Sequence, residues 1–225
     1  MPGCCNPRGC DQFFGTRFAQ RVARRYRKRG LGRTARQIVE FAASRGLEGA
    51  TVLEVGGGVG EIQLELLERG ARRAVNLELS SAYDHDAAEL IRAAGVEGRV
   101  ERRLHDIAAD PDAIEPADVV VLNRVVCCYP DYDRLLGAAA DHALRLLVFS
   151  HPPRNLLSRA LVGAQNLAFR LMCREFRTFA HPPQAMLAVL ERHGLEHSFS
   201  HRGLPWQVAG FERREPQVAA ATPSA

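Results

Sequence analysis

Short runs of β-branched and aliphatic residues alternate along the chain with longer amphipathic segments. This alternation constrains the fold more than any other feature of the sequence. It is typical of a parallel sheet whose strands are connected by helices on both of its faces. We predict parallel strands at 51–55, 73–78, 99–103, 118–122 and 144–149.

The C-terminal part of the chain has a different pattern. Two further β-rich runs, 195–201 and 206–213, are separated by only a few residues around Pro205. That connection is too short for a parallel crossover, so the two runs are expected to pair antiparallel. The sequence therefore predicts an α/β fold whose seven-stranded, mostly parallel sheet ends in an antiparallel hairpin.

The length of 225 residues suits one α/β domain and is too short for two ordinary ones. Thr34 and Gln37 fit a capping box, which predicts the start of a helix at Thr34. The predicted parts are an N-terminal cysteine-containing arm and basic helix that form a lid (1–33), the main domain (34–214) with a helical lid insertion (154–180), and a disordered tail (215–225).

A hydrophobic strand ending at Val55 runs directly into a glycine-rich turn and then into a helical segment. Glycines in such a turn allow the backbone to bend sharply and to approach a ligand closely. The dinucleotide fingerprint requires a third glycine where this chain has Glu61, and the P-loop lysine is missing, so neither phosphate-binding motif fits. The pattern that fits is E-x-G-x-G-x-G, formed by Glu54, Gly56, Gly58 and Gly60. Its acidic first position suits a cationic ligand.

This motif resembles that of the class I S-adenosylmethionine (SAM) dependent methyltransferases, and the resemblance covers roughly 34–213. It implies a Rossmann-like fold, an enzyme that transfers a methyl group, and SAM as its cofactor. It also implies an acid after the second strand for the ribose hydroxyls and one after the third strand for the adenine amine. The implied cofactor-binding residues are Glu54, Gly56, Gly57, Gly58, Gly60, Glu78, Leu79, Asp106, Ile107 and Asn123.

The C-terminal half is similar to the magnesium-protoporphyrin IX O-methyltransferases. The similarity lies in the run Val125–Pro130, in the strand that ends before His151-Pro152-Pro153, and in the amphipathic helix that follows. That family esterifies a porphyrin propionate, so the resemblance implies O-methylation of a small, anionic or partly hydrophobic acceptor. The chain differs from the family at two positions, with Cys128 in place of a histidine and Phe13 or Phe14 near the place of a tyrosine.

Methyl transfer from a sulfonium is an in-line displacement whose catalysis comes largely from positioning. A carboxylate acceptor needs no base, whereas a phenol, an amine or a thiol does. Candidates for that catalytic role follow the fourth and fifth strands, where the crevice of such a sheet lies. They are Cys128, Tyr129 and His151.

The cysteines offer an alternative function. A folded N-terminal arm would bring three of them to the pair after the fourth strand, and five thiols there would bind a soft metal or metalloid. The spacing matches no standard zinc pattern, so packing cysteines are the other interpretation and we assign no metal ligand. The five cysteines are Cys4, Cys5, Cys10, Cys127 and Cys128.

Basic residues are concentrated near the N-terminus. Residues 1–36 carry ten Arg or Lys and one acid, Asp11, although the whole chain has a net charge of only +4. Such a block faces an anionic small molecule, RNA, a membrane surface or solvent. Because the block contains Tyr26 as its only stacking ring between Arg21 and Arg36, RNA is the less favoured partner, and an RNA methyltransferase is kept as an alternative.

The segment Asn155–Cys173 places its apolar residues on one helical face. Arg159 and Arg170 exclude a membrane-spanning helix, which leaves a pocket wall, a core helix, or a membrane-surface or dimer contact. No long uncharged apolar run and no apolar leader occur elsewhere, so we expect a cytoplasmic protein with peripheral membrane contact as an open possibility.

Overall fold

The computed structural model describes residues 13–214, except for the side chain at position 157. The first twelve residues of the predicted arm, with Cys4, Cys5 and Cys10, and the predicted tail lie outside this range. The helices are α1 (Thr16–Arg29), α2 (Arg33–Ala43), α3 (Glu61–Glu68), α4 (Asp84–Ala94), α5 (Tyr132–Asp141), α6 (Leu156–Leu171) and α7 (Pro183–Arg192). The strands are β1 (Thr51–Val55), β2 (Arg73–Glu78), β3 (Val100–Leu104), β4 (Ala117–Leu122), β5 (Ala143–His151), β6 (Leu195–Arg202) and β7 (Gln207–Arg213).

The described strands form one seven-stranded sheet in the order β3-β2-β1-β4-β5-β7-β6. Strands β1 to β5 pair in parallel, and β7 pairs antiparallel with both β5 and β6. The strand order reverses between β1 and β4, which opens a crevice at their carboxyl ends. The predicted sheet and its antiparallel end are confirmed.

Strand β4 shows how both faces of the sheet are covered. Its side chains alternate in direction, so Val119 and Val121 pack with α2 and α3, whereas Val120 and Leu122 pack with α5 and α7. All four side chains are fully buried. Each such side chain contributes about 1.5–3 kcal/mol of burial free energy, which makes the sheet a rigid base for the loops at the strand ends.

The predicted capping box at Thr34 and Gln37 is wrong. Helix α2 begins at Arg33 after the extended N-cap Gly32, and no side chain caps this end. Thr34 therefore lies inside the first turn, where its hydroxyl is not in the N-cap position. The Gln37 amide instead donates to the carboxylate of Glu40 at 2.9 Å.

The predicted insertion forms α6, which begins after Asn155, whose side chain accepts a hydrogen bond from the Ser158 amide at 2.8 Å. Phe169 is the one described side chain of α6 that is buried. A core role for this helix is therefore wrong, because Leu156, Leu161, Leu167 and Leu171 are exposed. None of the helices within residues 13–214 is long and apolar enough to cross a membrane.

Candidate active site

A pocket with a cavity volume of about 230 Å³ lies at the carboxyl ends of β1, β2 and β4. This is the crevice that the reversal of strand order creates. The structure brings together here nine of the ten residues predicted to bind the cofactor. They are Glu54, Gly56, Gly57, Gly58, Glu78, Leu79, Asp106, Ile107 and Asn123.

The turn after β1 requires glycine for two different reasons. Gly56 and Gly58 have left-handed backbone angles, with φ of 63° and 56°. A Cβ atom on Gly57 would collide with the side chains of Asn76 and Glu54, because the turn packs directly on β1 and β2. Gly60 does not line the pocket, but with φ of 82° it is the N-cap of α3.

Glu78 ties the glycine turn to the end of β2. One of its carboxylate oxygens accepts a hydrogen bond from the Gly58 amide at 2.8 Å. The other accepts from the amides of Leu79 at 2.8 Å and Ser80 at 3.2 Å. Burial raises the pKa of Glu78, and these backbone donors oppose that rise. A carboxylate has about four acceptor positions, so one stays open for a further donor.

Glu54 lies almost fully buried beneath the glycine turn, where its carboxylate accepts a hydrogen bond from the Gln63 amide at 3.2 Å. Burial is the largest cause that raises the pKa of Glu54 well above its ordinary value, and the negative charge of Glu61 adds to it. Since desolvation penalises the charged form, a cation bound in the pocket would favour ionised Glu54.

Asp106 and Tyr129 join the third and fourth strand ends across the pocket. The Tyr129 hydroxyl donates to the Asp106 carboxylate at 3.1 Å, and the same carboxylate accepts the Ala108 amide at 3.0 Å. Tyr129 and Cys128 both line the pocket. Two of the three candidate catalytic residues are thus placed beside the predicted cofactor contacts.

His151 is not among the residues that line this pocket. It is buried at the end of β5, where its Nδ1 donates to its neighbour Pro152 O at 3.0 Å and its ring lies 5.5 Å from that of Phe149. Burial lowers the pKa of His151, which favours the neutral ring. His151 therefore does not share the pocket lining with Cys128 and Tyr129.

The sequence does not predict a role for Arg124, although it directly follows Asn123 at the end of β4. Arg124 has a left-handed backbone with φ of 62°, an uncommon conformation for a residue that is not glycine. Its amide donates to the Ser150 hydroxyl at 2.8 Å, and that hydroxyl donates to the Asn123 side chain at 2.9 Å. Its guanidinium lies 5.2 Å from the centre of the Trp206 ring and lines the pocket.

An aromatic cluster joins the chain before α1 to the end of α6. Phe13 stacks on Phe176 with a centroid distance of 4.7 Å and meets Phe169 at 5.4 Å. Phe14 contacts Phe176 at 5.2 Å, and both Phe14 and Phe18 line the pocket. The two segments predicted as separate lids therefore pack against each other.

The thiols of Cys127 and Cys128 lie 3.5 Å apart, and both donate to Arg124 O, at 3.5 and 3.7 Å. The hydrogen bond with the Cys128 thiol is the largest cause of the lowered pKa of the Cys127 thiol. The hypothesis of a five-thiol site depends on Cys4, Cys5 and Cys10, which lie outside the described residues, and it stays a prediction.

The chain is similar in sequence to a known family and in structure to known enzymes. A family model described as a methyltransferase domain matches residues 23–208, and no curated protein sequence matches the chain. The magnesium protoporphyrin IX methyltransferase from Synechocystis PCC 6803 with bound SAH has a similar structure, with a TM-score of 0.70 and 19% identity over 90% of this chain and 97% of that chain. An O-methyltransferase family protein from Burkholderia thailandensis has a TM-score of 0.66 and 20% identity over 88% of this chain and 60% of that chain.

These matches confirm the predicted fold, the predicted enzyme class and the predicted cofactor. The family model covers most of the chain, and the sheet order places the motif from Glu54 to Gly60 at the crevice. The chain belongs to the methyltransferase-domain family and is a class I SAM-dependent methyltransferase.

Proposed function

We propose that this enzyme transfers the methyl group of SAM to an oxygen atom of a small, anionic and partly hydrophobic acceptor. The observation that carries the proposal is the composition of one pocket. Besides the carboxylates of the cofactor motif and of Glu61, it contains the cationic side chains of Arg25 and Arg124 and the rings of Phe14 and Phe18. The similarity to a magnesium protoporphyrin IX methyltransferase supports an acceptor of this class.

The pocket suits the chemistry of SAM. Gly56, Gly57 and Gly58 line the pocket and carry no side chains, so the backbone of the turn is accessible to a ligand. Glu54 supplies a carboxylate for an ammonium group, and Glu78 keeps an acceptor position for a ribose hydroxyl. We assign to Asp106, which lines the pocket, the hydrogen bond from the adenine amine. When bound, SAM supplies an electrophilic methyl carbon on its sulfonium.

Arg124 is our candidate for binding the acceptor anion. Its left-handed backbone costs on the order of 1 kcal/mol, and such strain is concentrated at functional sites. The hydrogen bonds through Ser150 to Asn123 hold the residue in this conformation. A guanidinium matches a carboxylate with two parallel hydrogen bonds, so Arg124 orients one acceptor oxygen while Arg25 adds positive charge.

A carboxylate acceptor explains the absence of His151 from the pocket lining. The negatively charged carboxylate oxygen would form a bond to the methyl carbon while the bond between that carbon and the sulfonium sulfur breaks. The electron pair of the broken bond would stay on the sulfur, which becomes a thioether, so no proton moves. Tyr129 then acts as a positioning residue, because its hydroxyl is committed to Asp106 at 3.1 Å. Phe14 and Phe18 exclude water from the reacting groups.

The proposal is tested with SAM labelled in its methyl group and a panel of aromatic carboxylic acids, with magnesium protoporphyrin IX among them. Each acid is paired with its own methyl ester. We expect label to enter the acids but not the esters, and the labelled product to release methanol in alkali, as an ester does. Equal labelling of acids and esters would contradict the proposal.

A matched pair of variants tests the role of charge. Arg124→Gln should raise the acceptor KM about ten- to hundredfold, the loss expected for a hydrogen bond to a charged group, with the Kd for SAM unchanged. Arg27→Gln is the control, because Arg27 pairs with Glu89 at 2.7 Å outside the pocket. If both variants change the acceptor KM to the same extent, Arg124 does not bind the acceptor.

A further inference from the structure

We propose that α6 docks on the surface of an anionic lipid bilayer through its exposed apolar face. The docking face is defined by five large apolar side chains that are between 54% and 81% exposed. They are Leu156, Leu161, Leu167, Leu171 and Met172.

The docking face is continuous along the helix. At about 100° per residue, Leu156, Leu167 and Leu171 fall on one side of α6, and the exposed Ala160, Ala164 and Ala168 extend that side towards Leu161. Phe169 points the opposite way and anchors the helix in the aromatic cluster. Within residues 13–214, no side chain covers the docking face. Contiguous apolar surface of this kind marks a contact with a protein or a membrane.

Charge favours an anionic lipid surface as the partner. From Ser150 to Arg174 the chain has four arginines and no acidic residue. An apolar helical face bordered by basic residues is typical of helices that lie in the interface of anionic membranes. A second copy of the chain, docked face to face, would bring these four arginines against their own like charges.

Helix α1, whose start lies beside the end of α6, is also basic. Its fourteen residues include seven Arg or Lys and no acid, and six of those seven lie outside the pocket lining. Contacts of Phe13 with Phe18 and with Phe169 place the start of α1 beside the end of α6. Because Phe14 and Phe18 line the pocket, docking would bring the bilayer next to the aromatic side of the active site.

The test is flotation of the full-length protein with vesicles of phosphatidylcholine and phosphatidylglycerol, compared with vesicles of phosphatidylcholine alone. We expect binding to the anionic vesicles, weak binding to the neutral ones, and release at high salt because salt screens the arginines. The variant L161Q/L167Q should lower the partition coefficient at least about tenfold, because two leucines no longer enter the bilayer.

The control is L104Q/L144Q, which makes the same change at two leucines with 59% and 52% exposure, against 61% and 58% for Leu161 and Leu167. This variant should bind vesicles like the wild type, and thermal melting followed by circular dichroism checks that both variants are folded. The proposal is overturned if the wild type does not bind anionic vesicles or if the two variants bind equally. It is also overturned if the wild type is a dimer that only L161Q/L167Q dissociates, since a second copy then covers the face.

Discussion

The cofactor motif and the acceptor side of the pocket are built by different means. In the cofactor motif, backbone groups of neighbouring strand ends bond to each other, as in the Gly56 amide that donates to Leu77 O at 2.7 Å. On the side of the pocket that we propose for the acceptor, side chains from distant segments meet, as in the contacts of Phe14 with Phe176 and of Arg124 with Trp206.

This difference has a consequence for specificity. A motif built from backbone groups has little tolerance for substitution, because any added atom displaces the turn itself. A surface built from side chains changes its shape and charge through single substitutions while the sheet stays intact. We therefore expect substitutions in the glycine turn to weaken cofactor binding and substitutions at the aromatic cluster or Arg124 to change the acceptor.

The largest effect is expected from Gly57→Ala. The new Cβ collides with Asn76 and Glu54, both buried against the sheet, so overpacking should weaken SAM binding by about a hundredfold. Isothermal titration calorimetry measures the Kd. Gly98→Ala is the matched control, because a Cβ there meets no atom within 4 Å, and its Kd should equal that of the wild type. An unchanged Kd in Gly57→Ala would show that the turn adjusts to an added atom as readily as a surface built from side chains.

The same contrast explains what the sequence predicts and what it does not. The alternation of strands and helices fixes the sheet, and the spacing of Glu54, Gly56 and Glu78 fixes the cofactor motif, because both depend on local patterns. The stacking of Phe13 on Phe176 joins distant segments, and neither periodicity nor motif spacing contains that information. His151 shows the limit within one strand end: its position was predictable, but its packing against Phe149 in the core was not.

A smaller effect is expected from pH. Burial raises the pKa of Glu54 above the ordinary 4.5, with Glu61 adding to the rise and Arg102 opposing it. Below that raised pKa, Glu54 is protonated and does not neutralise an ammonium, so SAM affinity should increase with pH by up to about tenfold per unit through this window. Ionisation of Glu54 is penalised only in the folded state, so the free energy of unfolding of the free enzyme should fall over the same window.

Calorimetric titrations with SAM between pH 5 and 9, together with thermal melting over the same range, check both expectations. Glu61 and Glu78 also line the pocket and have a raised pKa, so Glu54→Gln is needed to separate Glu54 from these two carboxylates. In this variant the pH dependence of SAM affinity should largely disappear, and the protein should gain stability at the alkaline end. A pH profile unchanged by Glu54→Gln would assign the titration to Glu78 or Glu61, and Glu61→Gln would then distinguish these two.

The smallest effects are expected at His151 and Tyr129, two candidates for a catalytic base. Their variants test which residues act on the acceptor and which support cofactor binding. His151→Gln should leave kcat within about twofold, because His151 does not line the pocket and glutamine keeps a donor for Pro152 O.

Tyr129→Phe removes the hydrogen bond to Asp106, worth about 1 kcal/mol, so the Kd for SAM should rise about fivefold while the pH profile of kcat is unchanged. Steady-state kinetics and calorimetry measure both variants. If kcat instead rises with pH in the wild type and this rise is lost in Tyr129→Phe, Tyr129 is the base and the acceptor is a hydroxyl group, such as a phenol, that must lose a proton. Tyr129 would then act on the acceptor, and of the two residues only Asp106 would contribute to cofactor binding.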